Sequence, residues 1–311
     1  MCAQPAIRER TVEAPAPRVP HFVIQDAAGA QNFLQSLGIQ NPGQLSVIPI
    51  SSELYRVRED YQGLPVHGLM GNPPPVAVRV SDEVFRRASP SAGADAVYIP
   101  NSNIIFVSES ATRDPNHLSE VLLHEINHYA SWRGHGFDVI FRSKGKDVSG
   151  SRIDWMEEGF ANFLSSGLAG RTGERIAYPY ETLTAVMLCY VSGGDANAIR
   201  EALSTGDFRN LQRRVDSKLG NGTFEILMGA RPTPDGGRIT NGAEAFDFLS
   251  SRSFDRNPPV MDERLFFSDT RVRRAMATLA DRASSGGGAE THAETPIYRE
   301  VDPRQAIPRR R

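Results

Sequence analysis

Cysteine is almost missing from this chain: Cys2 and Cys189 are the only two in 311 residues. That excludes a disulfide scaffold and a cysteine-based metal cluster. Lysine is nearly as scarce, at Lys144, Lys146 and Lys218 alone, so arginine carries the basic charge. Neither sign of charge is in excess. Thirty-five basic residues against 37 acidic ones leave a formal charge of -2. A strongly basic nucleic-acid binder is thereby excluded as the default, and no nucleic-acid partner is expected. No run of eighteen apolar residues occurs, so no membrane span or membrane partner is expected either. The first twenty residues contain no apolar stretch of the kind a secretory signal needs. Together these absences predict a soluble protein made in a reducing compartment, cytoplasmic or exported by a route without a cleavable signal peptide.

What is present suffices for one sizeable core, since 40% of the residues are hydrophobic. The 27 Gly and 21 Pro are concentrated enough to mark unpacked ends. Residues 1–20 are polar and proline-rich and read as a disordered leader. Residues 284–311, beginning Ser-Ser-Gly-Gly-Gly, read as a disordered tail. A single domain over 21–283 lies between them. Within it Ala27 to Leu37 reads as a helix, and Val47 to Ile50 and Val76 to Val80 as strands. Pro49 restricts the first of these strands to a sheet edge. Ala96 to Pro100 and Asn103 to Ser108 read as a strand pair around an Asn-Ser turn. Asp114-Pro115 is a helix start, with Asp as cap and Pro at the first helical position, and that helix should run to about Trp132. Gly134 to Gly150 reads as a long polar loop. Helices follow from Asp154, over Tyr180 to Val191, Asp195 to Leu203, Asp207 to Leu219, Ala243 to Ser250 and Asp269 to Arg282. Strands come first and helices after, with no internal repeat, which favours an α+β class.

The informative stretch is Val121-Leu122-Leu123-His124-Glu125-Ile126-Asn127-His128-Tyr129-Ala130. His124 and His128 stand four apart, one above the other on one helical face. Two imidazoles so placed can bind a single Zn²⁺. Glu125, beside the first of them, can take the proton of an attacking water. So short a signature also arises by chance, and a histidine pair can be a surface feature. The surroundings argue otherwise: apart from Glu125, no charged residue falls between Val121 and Ser131. An apolar helix carrying two His and a Glu requires a compensating function. Tyr129 should point away from the metal and into the core.

A zinc site needs a third protein ligand and an open position. His135, Asp138, Asp147, Asp154, Glu157 and Glu158 are the downstream possibilities. The metzincin pattern fails, because Ser131 and Gly134 occupy its Gly and His places and His135 comes one place late. Asp138 would resemble the aspzincins. Asp154-Trp155-Met156-Glu157-Glu158-Gly159-Phe160-Ala161 fits better. Here the chain resembles the gluzincin metallopeptidases, whose third ligand is a Glu in a second helix within a pattern close to W-L-x-E-G-x-A. Trp155, Glu158, Gly159 and Ala161 match it, and Met156 stands for its Leu. The resemblance covers about His117 to Ser166 and assigns the third ligand to Glu158. Asp154 and Glu157, spaced as a capping box, give Glu157 a structural role and leave Glu158 to point inward. Gly159 would let the two helices approach closely. Between His128 and Glu158 lie 29 residues, more than in the aminopeptidase branch, and the loop after the motif helix can absorb the difference.

The resemblance implies a zincin-like fold, with a small mixed N-terminal sheet and a helical C-terminal lobe. It implies one Zn²⁺ held by His124, His128 and Glu158, a general base in Glu125, and a peptide or protein substrate. In zincins an edge strand of the sheet binds the peptide in extended form, and Asn103 to Ser108 is the expected region. Related enzymes often stabilise the oxyanion with a Tyr or a His. Tyr178 and Tyr180 are the candidates here, Tyr180 is the choice, and simple packing is the alternative for both. The amine-binding motif of the aminopeptidase branch is missing, which favours an endopeptidase. Met187, Leu188, Cys189 and Tyr190 read as core, and Arg213-Arg214, Arg273-Arg274 and Arg309-Arg310-Arg311 as solvated charge. Two rival functions stand beside the peptidase: an exported effector or toxin protease acting in a foreign cell, and an inactive zinc-binding scaffold.

Overall fold

The computed structural model describes residues 24–64, 73–89, 94–131, 139–150, 154–169, 178–193 and 196–253. The expected leader and tail, the helix expected over Asp269 to Arg282, and both His135 and Asp138 lie outside the described residues.

The class is mixed α+β. Four strands form one sheet: β1 (Ser46–Ile48), β2 (Val76–Val80), β3 (Ala96–Ile99) and β4 (Ile104–Ser108). Their order across the sheet is β1-β2-β4-β3. β1 pairs antiparallel to β2, β2 parallel to β4, and β3 antiparallel to β4. β1 lies at an edge, as expected, but it ends at Ile48, before Pro49. β4 is central and all five of its residues are buried, as its unbroken Ile-Ile-Phe-Val run befits. The region expected to offer a substrate-binding edge is therefore interior. The second edge is β3, because the Pro100–Ser102 turn folds it back along the outside of β4.

Both faces of this sheet are covered. On one lie α1 (Ala27–Ser36) and α3 (Asp82–Ala88), packing Leu34, Val84 and Phe85 against Val78, Ile104 and Phe106. Asp26 caps α1 by accepting the Gly29 N–H at 2.7 Å, and Ser81 caps α3 by accepting that of Val84 at 3.3 Å. On the other face lie α2 (Ser51–Asp60) and α4 (Pro115–Ser131). Leu123, Ile126 and Ala130 of α4 join the same buried cluster as Ala77, Ile105 and Val107 of the sheet.

Beyond α4 the chain is helical: α5 (Asp154–Ala169), α6 (Pro179–Val191), α7 (Asn197–Thr205), α8 (Arg209–Leu219), α9 (Thr223–Leu227) and α10 (Gly242–Ser253). Between α4 and α5 the expected polar loop contains a hairpin instead, β5 (Val139–Ser143) and β6 (Lys146–Gly150). Lys144 and Gly145 form its two-residue turn, with φ of 50° and 79°. The buried side chains of Val139 and Phe141 supply its apolar face. The hairpin is tied to the helices by Ile140 N–H donating to Gly206 O and Phe208 N–H donating to Ile140 O, at 2.7 and 2.8 Å.

Candidate metal centre

The motif lies on α4 as its spacing predicts. This helix is wedged between the sheet and α5, so all its residues from Glu125 to Ser131 are buried. Two polar anchors fix its rotation and height. The Tyr61 hydroxyl, just beyond α2, donates to Asn127 Oδ1 at 2.9 Å, and the Asn127 amide donates to Leu123 O at 2.9 Å. Ser119, one helical turn before the motif, donates to Glu53 Oε1 of α2 at 2.9 Å. α2 is itself held to α7 by a two-pronged ion pair, Arg200 to Asp60 at 2.6 and 2.7 Å.

With α4 so placed, His124 and His128 face α5. Their Nε2 atoms are 2.9 Å apart, and Glu158 Oε2 lies 3.1 Å from that of His124 and 3.5 Å from that of His128. The three ligand atoms all fall within 4.8 Å of one another, a group that could hold a metal ion. Two imidazole nitrogens and one carboxylate oxygen are a donor set that a divalent metal ion could occupy. The expected ligands are thus brought together. Asp147 is elsewhere, in the hairpin, paired with Arg209 at 2.8 Å.

Glu157 has a role that its sequence position did not disclose. Its Oε1 lies 2.6 Å from His128 Nδ1, and both side chains are buried. Successive helical residues point about 100° apart, so the Glu157-Glu158 doublet addresses two histidines from two sides. The contact orients the His128 ring, and on a neutral imidazole carrying its proton at Nδ1 it would leave the Nε2 lone pair toward the donor cluster. The acidic doublet before Gly159 was the available signal. The capping pair expected of Asp154 and Glu157 turns on the Asp154 side chain, outside the described residues. Gly159 also acts differently from expectation. The close approach it permits is to α6, because a Cβ there would run into the Glu181 backbone carbonyl.

Charge at the cluster follows from the geometry. Burial opposes a charged His128, yet the Glu158 and Glu157 carboxylates outweigh it and hold its pKa well above the ordinary histidine value. Burial would likewise raise Glu158, but His128 and His124 hold its carboxyl well below the usual range. Glu125 goes the other way: burial pushes its carboxyl up against the pull of both histidines. Its Oε2 accepts the backbone N–H of Tyr98, in β3, at 2.6 Å.

The two tyrosines after α5 separate. Tyr178 stacks its ring on His124, with centroids 6.1 Å apart and planes 13° apart. Its backbone is left-handed, φ 50° and ψ 61°, a conformation a bulky residue holds only where its surroundings impose it. Tyr180 is half-buried in α6 with its ring 5.8 Å from that of Phe246. Tyr129 is core as expected, 1% exposed, its hydroxyl donating to Pro73 O at 3.2 Å. Met187, Leu188 and Cys189 are buried and Tyr190 half-buried.

No protein-family model matches the chain, and no curated protein or solved structure matches it either.

Proposed function

We propose that this chain is a zinc-dependent metallopeptidase of zincin-like fold, and that it cuts within peptide chains. One observation carries the reading. Three donor atoms from two packed helices, His124 Nε2, His128 Nε2 and Glu158 Oε2, lie within 4.8 Å of one another, and the residue next to the first of them is the buried Glu125. Zinc in this set would act as a Lewis acid toward the peptide carbonyl and activate a water.

The remaining work belongs to the chain's own residues. Glu125 takes the proton of the attacking water and delivers it to the departing amine nitrogen. Glu157 keeps His128 in the tautomer that offers Nε2. β3, with its outer edge free of any strand among the described residues, is the element on which an extended peptide would add by main-chain pairing. Tyr178, whose ring stacks on His124, is assigned the donation to the oxyanion. Tyr178→Phe should lower kcat with zinc retained, while Tyr180→Phe should leave it nearly unchanged. The reverse ranking would return the role to Tyr180.

The test of the whole reading is metal analysis of the purified chain combined with digestion of a diverse peptide library. One zinc per chain and internal cleavages suppressed by a chelator are expected. Full zinc occupancy with no cleavage would leave a binding scaffold in place of an enzyme.

A further inference from the structure

The edge strand does more than offer a docking surface. Asp95 O accepts the Ser108 N–H at 2.9 Å, which fixes the alternation of the antiparallel pair. Val97 and Ile99 then turn their main-chain groups toward β4, and Ala96 and Tyr98 turn theirs outward. The outward N–H of Tyr98 is the one that donates to Glu125 Oε2. Its position is tightly set. The Tyr98 ring meets that of Tyr129 edge-on at 5.9 Å, and its hydroxyl donates to Asn103 Oδ1 at 3.2 Å. Asn103 in turn donates to Pro73 O at 2.9 Å, the carbonyl that also accepts from Tyr129.

We propose that the Tyr98 backbone amide is a positioning group for Glu125: it anchors one carboxylate oxygen and so fixes the orientation in which the other meets the attacking water. The strand that would bind the peptide thereby also aligns the base, and substrate strand and base are held in one register. The inference rests on the peptidase reading for its catalytic meaning, though not for the hydrogen bond itself. It also implies that a docked peptide does not use the Tyr98 N–H, which is already engaged, and pairs through the Tyr98 carbonyl and the Ala96 main chain.

Amide hydrogen exchange of the intact chain tests the bond without substrate. Ala96 is the internal control, since its N–H faces the same edge. The Tyr98 amide should exchange at least about tenfold more slowly than that of Ala96, as a bond to a carboxylate requires. Glu125→Ala should remove that protection and leave Ala96 unchanged. Equal exchange at the two positions, or protection that survives Glu125→Ala, overturns the proposal. The kinetic arm compares Tyr98→Pro with Tyr98→Ala. Both remove the ring and only the first removes the N–H, and an edge strand tolerates proline. At equal zinc content Tyr98→Pro should have a kcat lower by about tenfold to a hundredfold, with KM changed far less. Equal kcat in the two variants would reduce the bond to a structural one and refute the positioning role. If Tyr98→Pro fails to fold, the exchange result decides. Zinc-loaded wild-type protein that cleaves nothing would remove the peptidase reading and the catalytic claim with it, whatever the exchange data show.

Discussion

The two faces of the four-stranded sheet are built to different rules. Against α1 and α3 the buried packing carries no charged side chain among the described residues, with Leu34, Val80, Phe85 and Phe106 meeting across it. Around α4 the apolar cluster is interrupted by Glu125 and Asn127 and, where the helix meets α5, by His128 and Glu157, all less than a tenth exposed. Burying such groups costs stability unless each is partnered. Each residue is engaged, by the Tyr98 amide, the Tyr61 hydroxyl, or the carboxylate–imidazole contact between Glu157 and His128, although Glu157 Oε2 is buried without a hydrogen bond among the described residues. A chain that needed only a core would repeat the first face twice. The second face is organised around what its polar groups do, so substitutions there should cost function before folding, and on the first face folding before function.

The sharpest break comes from removing the third donor. Glu158→Ala should lose the bound metal and all cleavage, measured as zinc content after dialysis. A variant that keeps a full zinc would assign the ligand elsewhere. On the opposite face Phe106→Ala should destabilise by about 3–5 kcal/mol, because the ring is fully buried and stacks on Phe33 at 6.1 Å. Denaturant unfolding measures this, and the protein still folded should cleave at the wild-type rate. The smallest effect expected is that of Glu157→Ala. It removes the carboxylate that orients His128, and loss of such a partner weakens metal binding by about 10–100-fold. A competition titration with a chelator reads this, and unchanged affinity would show that His128 is oriented without it.

Much of this was legible beforehand, for physical reasons that differ along the chain. β2, β3 and β4 are dense in β-branched residues bounded by turn formers, and α4 starts at an Asp-Pro that can hardly begin anything else. The α2 helix was missed because Ser51 to Asp60 is mostly polar, and its buried stripe is only Glu53, Leu54 and Val57. α3 was missed because seven residues are too few for periodicity to register. The β5–β6 hairpin hid behind its glycines and lysines, although Ser-Lys-Gly-Lys is a turn signal between apolar residues at alternate positions. At the site, helix spacing sufficed for His124, Glu125 and His128, and the W-x-x-E-G-x-A pattern for Glu158. The contact of Glu157 with His128 and the ring of Tyr178 on His124 depend on how three helices are rotated against one another. Spacing along one helix does not report that.

The central claim is that Glu125 is a base beside a metal rather than a buried structural acid, and the isosteric Glu125→Gln variant tests it directly. Glutamine keeps the size, the burial and an oxygen for the Tyr98 N–H, and removes only the capacity to take a proton. Cleavage measured at matched zinc content should fall by at least about 10²-fold, with zinc occupancy and melting temperature nearly unchanged. Cleavage equal to wild type at the same zinc content would contradict the account.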